Sequence, residues 1–360
     1  MALDADRARS VKLTVLNLAV ELLVMKESLI EQLTRDSFVP HPALKNAHAQ
    51  TIISSLVRRS TELLNRNTEP RYFDTAQGVR LLAHCSWQSR PKETPTLIAV
   101  HGLQGSSESG YMRGTAEKAL RAGFNVLRLN MRNCGGTAHL TESLYHAGLT
   151  DDVRAIISEL SEKDGLKEIY LSGFSLGGNL SLKLAGEYGA TPPSALKGVV
   201  AISPSIHLSS CADAIELNSN LLYQMSFVLS LKRSMRLKAE LYPNRYDALP
   251  LRTIRTIRQF DAAYVVPHCG FQDVNDYYAR ASALPHISRI TTPTMIIHAK
   301  DDPFIPYHPF ESREVTSNPN VLMIGTNRGG HVGFISAARA ESEDRFWAEM
   351  KIVEFIHALN

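Results

Sequence analysis

Cysteine is scarce in this sequence. Its 360 residues contain four, and these lie far apart with no Cys-x-x-Cys pair. Disulfide-rich secreted domains and structural zinc sites need cysteines that are more numerous or more closely spaced. Cys85, Cys134, Cys211 and Cys269 therefore indicate neither a disulfide framework nor a metal site, and we expect a cytoplasmic protein whose thiols stay reduced.

A long apolar run is also missing. Residues 11–25 are rich in Val and Leu, but they include Glu21 and other polar residues and fall short of the ~20 apolar residues that a membrane span needs. Acidic residues precede the run and no small-residue cleavage site follows it, which argues against a signal peptide. We expect residues 1–40 to be a helical extension packed on the domain. Peripheral contact with a membrane surface is the alternative.

The charges are too evenly balanced to suggest a nucleic-acid groove. The net charge is +3, and the basic residues are scattered along the chain. Apolar residues make up 44% and charged residues 21%, which is ordinary for a globular protein. A chain of this length has room for one large α/β domain with an insertion.

Short apolar runs alternate with segments of helical length from residue 94 onward. Continuous apolar runs with helices between them are typical of strands covered on both faces, and hence of a parallel sheet. The predicted strands are residues 96–100, 125–129, 169–171, 198–202, 294–298 and 320–324. Before them, residues 71–74 and 79–84 predict an antiparallel hairpin.

The alternation breaks between residues 206 and 289. This stretch contains helix-like pieces without a clear strand, so we expect an insertion that caps a domain spanning residues 41–360. Within it, residues 221–231 are strongly apolar and are followed by several basic residues. The segment is either a lid with a lipid-facing side or a packed helix with a solvated basic end.

Residues 168–186 predict a strand, a sharp turn and a helix, with Ser175 at the apex of the turn. In the pentapeptide Gly173-Phe-Ser-Leu-Gly177, the two glycines allow the helix to pack back against the strand. Gly178 is expected to leave the first helical turn open to a substrate. Such a turn holds a nucleophilic serine above the sheet in a strained backbone conformation.

The segment His101-Gly-Leu-Gln-Gly105 follows the strand at residues 96–100 directly. Gly102 lets the chain turn away, so that the Leu103 amide can face Ser175. Together with the amide of Leu176 it would form a two-donor oxyanion hole. His101 is expected to hold this loop by hydrogen bonds rather than to take part in catalysis.

An acid and a histidine follow the last two predicted strands. Asp302 lies in a proline-bounded turn after residues 294–298 and is expected to orient a histidine, with Asp301 as the alternative. His331 has glycines on both sides, which should leave it room to approach Ser175. The order serine, acid, histidine is that of an α/β-hydrolase.

Several of these segments together resemble the YheT branch of the α/β-hydrolase superfamily, relatives of the abhydrolase-domain lipases and esterases. The resemblance covers about residue 40 to the end of the chain. Its motifs are His48-Ala-Gln-Thr51, His101-Gly-Leu-Gln-Gly105, Asn130-Met-Arg-Asn-Cys-Gly135, Tyr145-His-Ala-Gly148, Gly173-Phe-Ser-Leu-Gly-Gly-Asn179, Asp276-Tyr-Tyr278, Ala299-Lys-Asp-Asp-Pro303 and Gly329-Gly-His-Val-Gly-Phe334.

The resemblance implies a triad of Ser175, Asp302 and His331 that hydrolyses carboxylic esters, with short-chain esters or monoacylglycerol-like lipids as substrates. Asn133 departs from the family pattern, which has glycine there, but asparagine tolerates a left-handed backbone. No metal or organic cofactor is implied.

Four further positions are candidate substrate contacts: Gly102, Gly178, Tyr145 and His146. For the last two, a structural role in their loop is the favoured interpretation. Acyl transfer by the same triad and binding of an acyl ligand without turnover are the rival functions. Acyl length, head group and oligomeric state cannot be read from the sequence.

Overall fold

A sheet of eight strands forms the centre of the described structure. The strands are β1 (Glu69–Ala76), β2 (Val79–Ser86), β3 (Thr96–Val100), β4 (Asn125–Leu129), β5 (Ile169–Phe174), β6 (Leu196–Ile202), β7 (Thr294–Ala299) and β8 (Val321–Thr326). Their order across the sheet is β1-β2-β4-β3-β5-β6-β7-β8. The first three strands in this order pair antiparallel, and every later pair is parallel. The predicted α/β fold and its leading hairpin are confirmed.

The inner strands are mainly apolar, and they are buried along their whole length because both of their faces are covered. Every residue of β3, β5 and β7 is buried. A strand exposed to water on one face would instead alternate between apolar and polar residues. Since parallel strands end at the same edge, the loops that follow β3, β5, β7 and β8 meet at one rim.

The helices that cover the sheet and form the connections have the following bounds. They are α1 (Ala47–Leu56), α2 (Glu62–Arg66), α3 (Gly110–Arg121), α4 (Asp151–Ser158), α5 (Leu176–Tyr188), α6 (Leu208–Ile215), α7 (Leu221–Leu241), α8 (Ile257–Phe260), α9 (Val266–Cys269), α10 (Val274–Ala281), α11 (Leu284–Ile287), α12 (Arg313–Thr316) and α13 (Trp347–Leu359).

This computed structural model describes residue 31 and residues 33–337 and 345–360. The helix predicted over residues 11–25 lies outside the described residues. The chain divides into two compact units, residues 1–37 with residue 360 and residues 38–359, and the sheet belongs to the second. Within the described ranges, every helix is too short or too polar to span a lipid bilayer.

The chain between β6 and β7 is helical, and residues 206–289 contain no strand. Its helix α7 runs for 21 residues and buries one face, which includes Val228 and Met235. The other face leaves Leu222 and Leu229 exposed. Helix α7 is therefore packed along one side, and the first half of its outer side is mainly apolar. A lipid-facing role for that half stays a prediction.

The basic end of α7 is solvated at Arg233 and Arg236, as one of the two sequence alternatives has it, but not at Lys238. Lys238 is buried, and its ammonium donates to Asn133 Oδ1 (2.7 Å), to the Ala138 carbonyl (2.9 Å) and to the Thr141 carbonyl. Burial lowers the pKa of Lys238 to about 8. The expectation of a solvated end is wrong for this residue, which ties α7 to the loop after β4.

A buried ion pair holds that same loop to α4. Arg132 donates from Nε to Asp152 Oδ2 and from Nη2 to Asp152 Oδ1, both at 2.7 Å. The Thr75 hydroxyl of β1 also donates to Asp152 Oδ1 at 2.7 Å. Because the two charges are buried, removing one partner leaves the other desolvated and unpaired.

Asp152→Asn should lower the free energy of unfolding by about 3 kcal/mol, because the guanidinium of Arg132 would stay buried without its counter-charge. Urea denaturation measures the change. Asp151→Asn is the matched control, since its side chain is 83% exposed and its loss should cost below ~1 kcal/mol. Equal costs for the two variants would contradict the prediction.

Candidate active site

Ser175 occupies a strained turn between β5 and α5. Its backbone angles are φ 53° and ψ −117°, in a region that residues with a side chain rarely adopt. The Ser175 amide donates to the Ile202 carbonyl of the neighbouring strand at 2.9 Å, which holds the turn against the sheet. The strained conformation predicted for this serine is present.

The strain is enforced by the two glycines on either side of the serine. A Cβ atom on Gly173 would lie 2.1 Å from the Gly177 carbonyl oxygen, and one on Gly177 would lie 2.4 Å from the Val100 carbonyl oxygen. Backbone atoms cannot move aside as a flexible side chain can. Any larger residue at these positions would therefore separate the helix from the strand.

Gly102 and Gly178, the two glycines assigned to substrate contact, have a different role. A Cβ atom on Gly178 would meet Pro204 Cβ at 2.8 Å, so this face of the helical turn is packed rather than open, and the sequence-based expectation is wrong. At Gly102 a Cβ atom would lie 3.1 Å from Ser175 Cβ. Neither glycine lines the cavity described below. Both are small because protein atoms, and not substrate atoms, lie against them.

The two amides expected to form an oxyanion hole come from different segments of the chain. Leu103 follows the end of β3, and Leu176 is the first residue of α5. Neither amide donates a hydrogen bond to any group in the described ranges. Both residues line the same cavity as Ser175. Free amides at a helix N-terminus and in a neighbouring loop can donate hydrogen bonds to a ligand oxygen on which negative charge develops.

Asp302 binds the imidazole of His331 at the carboxyl edge of the sheet. Its Oδ2 accepts from His331 Nδ1 at 2.8 Å, and its Oδ1 accepts from the amides of Phe304 and Ile305 at 3.1 and 3.0 Å. The neighbouring carboxylate of Asp301 accepts instead from the Gly330 amide at 2.9 Å. Of the two acids considered, Asp302 is thus the one that contacts the histidine.

Helix α1 holds the histidine loop, a role that the sequence motifs did not reveal. Thr51 Oγ1 accepts from the His331 amide at 2.9 Å. The buried Gln50 side chain accepts from the Ile335 amide (2.8 Å) and donates to the Ile335 carbonyl (3.0 Å). A sequence signal for this role was available, because α1 carries polar residues such as Gln50 on its buried side.

The glycines beside His331 allow α1 to pack closely against the loop. Gly330 has φ +60°, and a Cβ atom there would lie 2.4 Å from the Ala47 carbonyl oxygen of α1. A Cβ atom on Gly333 would lie 2.8 Å from the Gln50 carbonyl oxygen. The room that these glycines provide is filled by the helix. The aromatic ring of Phe304 packs on the imidazole from the cavity side, with ring centroids 4.2 Å apart.

Two other histidines near the rim are structural. His101 is fully buried, donates from Nδ1 to the Gly102 carbonyl (2.7 Å) and accepts at Nε2 from the Met131 amide (3.1 Å), as predicted for a loop-holding residue. His298 is equally buried and donates from Nε2 to the Ile305 carbonyl (3.0 Å). Burial lowers the pKa of each to about 4, so both stay neutral near pH 7.

A cavity of about 1140 Å³, including its mouth open to solvent, lies between Ser175 and the helical insertion. Its walls are mainly apolar and come from α6, α7, α8 and α10 as well as from the rim loops. Tyr145 and His146 line it, and both also have framework contacts. The Tyr145 hydroxyl accepts from Gln104 Nε2 (3.0 Å), and the His146 ring packs on Phe271 with centroids 5.1 Å apart. Burial lowers the pKa of His146 to about 4.

Comparison with known proteins agrees with this architecture. Residues 95–338 match the family described as the alpha/beta hydrolase fold. The chain is 30% identical to the candidate esterase YheT of Escherichia coli over 324 residues, which are 89% of this chain and 92% of YheT. It is 31% identical to a monoacylglycerol lipase of Saccharomyces cerevisiae over 310 residues, 81% of this chain and 67% of the lipase.

Among solved structures, the esterase Pf2001 of Pyrococcus furiosus is similar with a TM-score of 0.56 at 18% identity. The match covers 89% of this chain and 97% of Pf2001. At this identity the likeness concerns the fold. The family match over residues 95–338 and the match to YheT along most of the chain confirm the resemblance, and the chain belongs to the α/β-hydrolase family.

Proposed function

We propose that this chain hydrolyses carboxylic esters through an acyl-enzyme formed on Ser175, with His331 as general base and acid and Asp302 as its orienting carboxylate. The observation that carries the proposal is the 2.8 Å hydrogen bond between His331 Nδ1 and Asp302, at the same sheet edge as the strained Ser175 turn. The family membership and the names of the two relatives support ester hydrolysis as the reaction class.

A carboxylate oxygen only accepts hydrogen bonds, so the bond between Asp302 Oδ2 and His331 Nδ1 implies an imidazole protonated on Nδ1, which would leave Nε2 free to act as a base. Nε2 would take the proton of the Ser175 hydroxyl as its oxygen attacks the ester carbonyl. The amides of Leu103 and Leu176 would stabilise the negative oxygen of the tetrahedral intermediate. His331 would then return the proton to the departing alcohol, and a water activated by the same nitrogen would release the acid.

The character of the cavity points to esters with an apolar acyl group. Its lining is mainly apolar, and burial of each CH₂ group from water contributes about 0.8 kcal/mol to binding. Short-chain esters and monoacylglycerol-like lipids both fit this description, and the yeast relative named as a monoacylglycerol lipase favours the second class.

A fluorophosphonate probe should label wild-type protein at Ser175, because it traps an activated serine as a covalent adduct. Ser175→Ala should abolish labelling, and His331→Ala should slow it at least ~100-fold because the base is lost. The measurement is the rate of adduct formation, with the site mapped by mass spectrometry.

Ser205→Ala is the matched control for this experiment. Ser205 lines the same cavity and should be replaceable without a change in the labelling rate. Absence of labelling in the wild type would instead support a protein that binds acyl ligands without turnover. Labelling that persists in Ser175→Ala would show that the nucleophile is a different residue.

Gly330→Ala should slow the labelling reaction at least ~10-fold, because its Cβ would displace either the Ala47 carbonyl or the loop that carries His331. Gly78→Ala serves as the control. Gly78 also has a positive φ, +71°, but has open space where a Cβ would lie. Both variants should lose about 1 kcal/mol of unfolding free energy to backbone strain. Equal labelling rates would contradict a positioning role for the contact between α1 and the loop.

A series of p-nitrophenyl esters from acetate to palmitate should show kcat/KM rising with chain length until the cavity is filled. The reason is that each added CH₂ group gains a binding contribution of about 0.8 kcal/mol when it is buried. Monoacylglycerols with the same chains provide the comparison for the head group. Hydrolysis confined to acetate and butyrate would count against an acyl-binding role for the cavity.

A further inference from the structure

A carboxyl group lies in the apolar wall of the cavity, on the side formed by the insertion. Asp261 begins a π-helical turn, Asp261–Val265, between α8 and α9. It is 7% exposed and lines the cavity, flanked by the apolar lining residues Phe260 and Val265. The mechanism proposed above does not use it.

One of its two oxygens has a partner and the other has none. Asp261 Oδ2 accepts from the Tyr278 hydroxyl at 2.7 Å. Oδ1 makes no hydrogen bond to any group in the described part of the chain. It is not fully enclosed by protein atoms, so part of its surface stays accessible. A carboxyl oxygen in this position can still accept two hydrogen bonds.

The nearby guanidinium of Arg258 does not pair with Asp261 Oδ1 either. The guanidinium of Arg258 lies over the Tyr278 ring, with its carbon 5.4 Å from the centroid, but it binds Asp213 and not Asp261. Burial raises the pKa of Asp261 to about 7, against the opposing effects of the Tyr278 hydrogen bond and of Arg258. Burial and the neighbouring Asp261 carboxylate together raise the pKa of Tyr278, so its phenol remains a hydrogen-bond donor.

We propose that Asp261 Oδ1 accepts a hydrogen bond from a hydroxyl group of the bound substrate, so that the cavity selects hydroxylated esters over purely hydrocarbon ones. A ligand that covers Oδ1 without a hydrogen-bond donor leaves this acceptor buried and unpaired, which costs free energy, whereas a ligand hydroxyl provides the partner. A site that pairs with a substrate hydroxyl discriminates strongly against the analogue that lacks it.

The hydroxyl can come from either part of an ester. It lies on the alcohol part in a monoacylglycerol and on the chain in a hydroxy-acyl ester. A neutral hydroxyl fits the surroundings better than an ammonium group, because an ammonium would pay a larger desolvation cost in this apolar wall. The proposal rests on the proposed function for its substrate class, but its test does not require turnover.

Binding of ethers, which the enzyme cannot hydrolyse, tests the proposal independently of catalysis. Three ligands with the same chain suffice: decyl methyl ether, the decyl monoether of glycerol, and decyl methyl ether with a hydroxyl at the chain end. Calorimetry below the micelle concentration gives Kd for each. We expect at least one hydroxylated ligand to bind about tenfold or more tightly than decyl methyl ether, and the one preferred identifies the part of the ester that is recognised.

Asp261→Leu should abolish the preference, leaving the Kd ratio near one, while the affinity for decyl methyl ether is kept or improved. Asp261→Asn keeps the shape of the side chain and can still accept from Tyr278. Because a hydroxyl accepts as well as donates, the amide can pair with the same ligand hydroxyl, and this variant should retain part of the preference. Tyr278→Phe leaves the carboxyl in place and should retain the preference. A ratio near one in the wild type, or a preference that survives in Asp261→Leu, would overturn the proposal.

If the preference is present but the fluorophosphonate does not label Ser175, the subsite stands and the proposed hydrolysis fails. If labelling occurs without any preference, hydrolysis stands and the subsite fails. The two conclusions are therefore separable.

Discussion

The absence of side chains at Gly173 and Gly177 is the constraint on which the site depends. Helix α5 packs so closely against β5 and against the end of β3 that a Cβ atom at either position would collide with a backbone carbonyl. The turn between strand and helix can then be made only by giving Ser175 a positive φ, which costs roughly 1–3 kcal/mol. That strain is supported by the sheet, since the Ser175 amide is bonded to β6. The serine side chain is thereby held at the rim, and the first amide of α5 stays free.

The histidine side of the site is built on a different principle. Residues 327–337, which follow β8, form neither a helix nor a strand, and contacts with residues 280 and 285 positions earlier in the chain hold them in place. Thr51 holds the His331 amide, and Gln50 holds both backbone groups of Ile335. Two backbone amides orient Asp302 from the other side. The imidazole is therefore oriented by hydrogen bonds to fixed groups, and not by packing alone.

These two principles explain which features could be predicted from the sequence. The strands and the Ser175 turn are local, because an apolar run or a glycine spacing carries the information within a few residues, and both were predicted with their approximate bounds. Contacts between distant segments carry no such local signal. The packed environment of Gly178 depends on Pro204. The buried state of Lys238 depends on three groups of the loop after β4. The role of Thr51 depends on the His331 loop, which lies 280 residues later in the chain.

Long-range contacts also determine how the insertion is placed over Ser175. Asn179, in the first turns of α5, donates to the carbonyls of Ala147 and Ala281 and accepts from the Ala283 amide. Ala281 ends α10, the helix that carries Tyr278, the partner of Asp261. The carboxyl in the cavity wall is thus connected to the helix behind Ser175 through buried hydrogen bonds, without a flexible link. Under the two proposals above, a fixed separation between Ser175 and a polar acceptor would select substrates by the distance between ester and hydroxyl, and this geometric measure would be independent of how reactive the serine is.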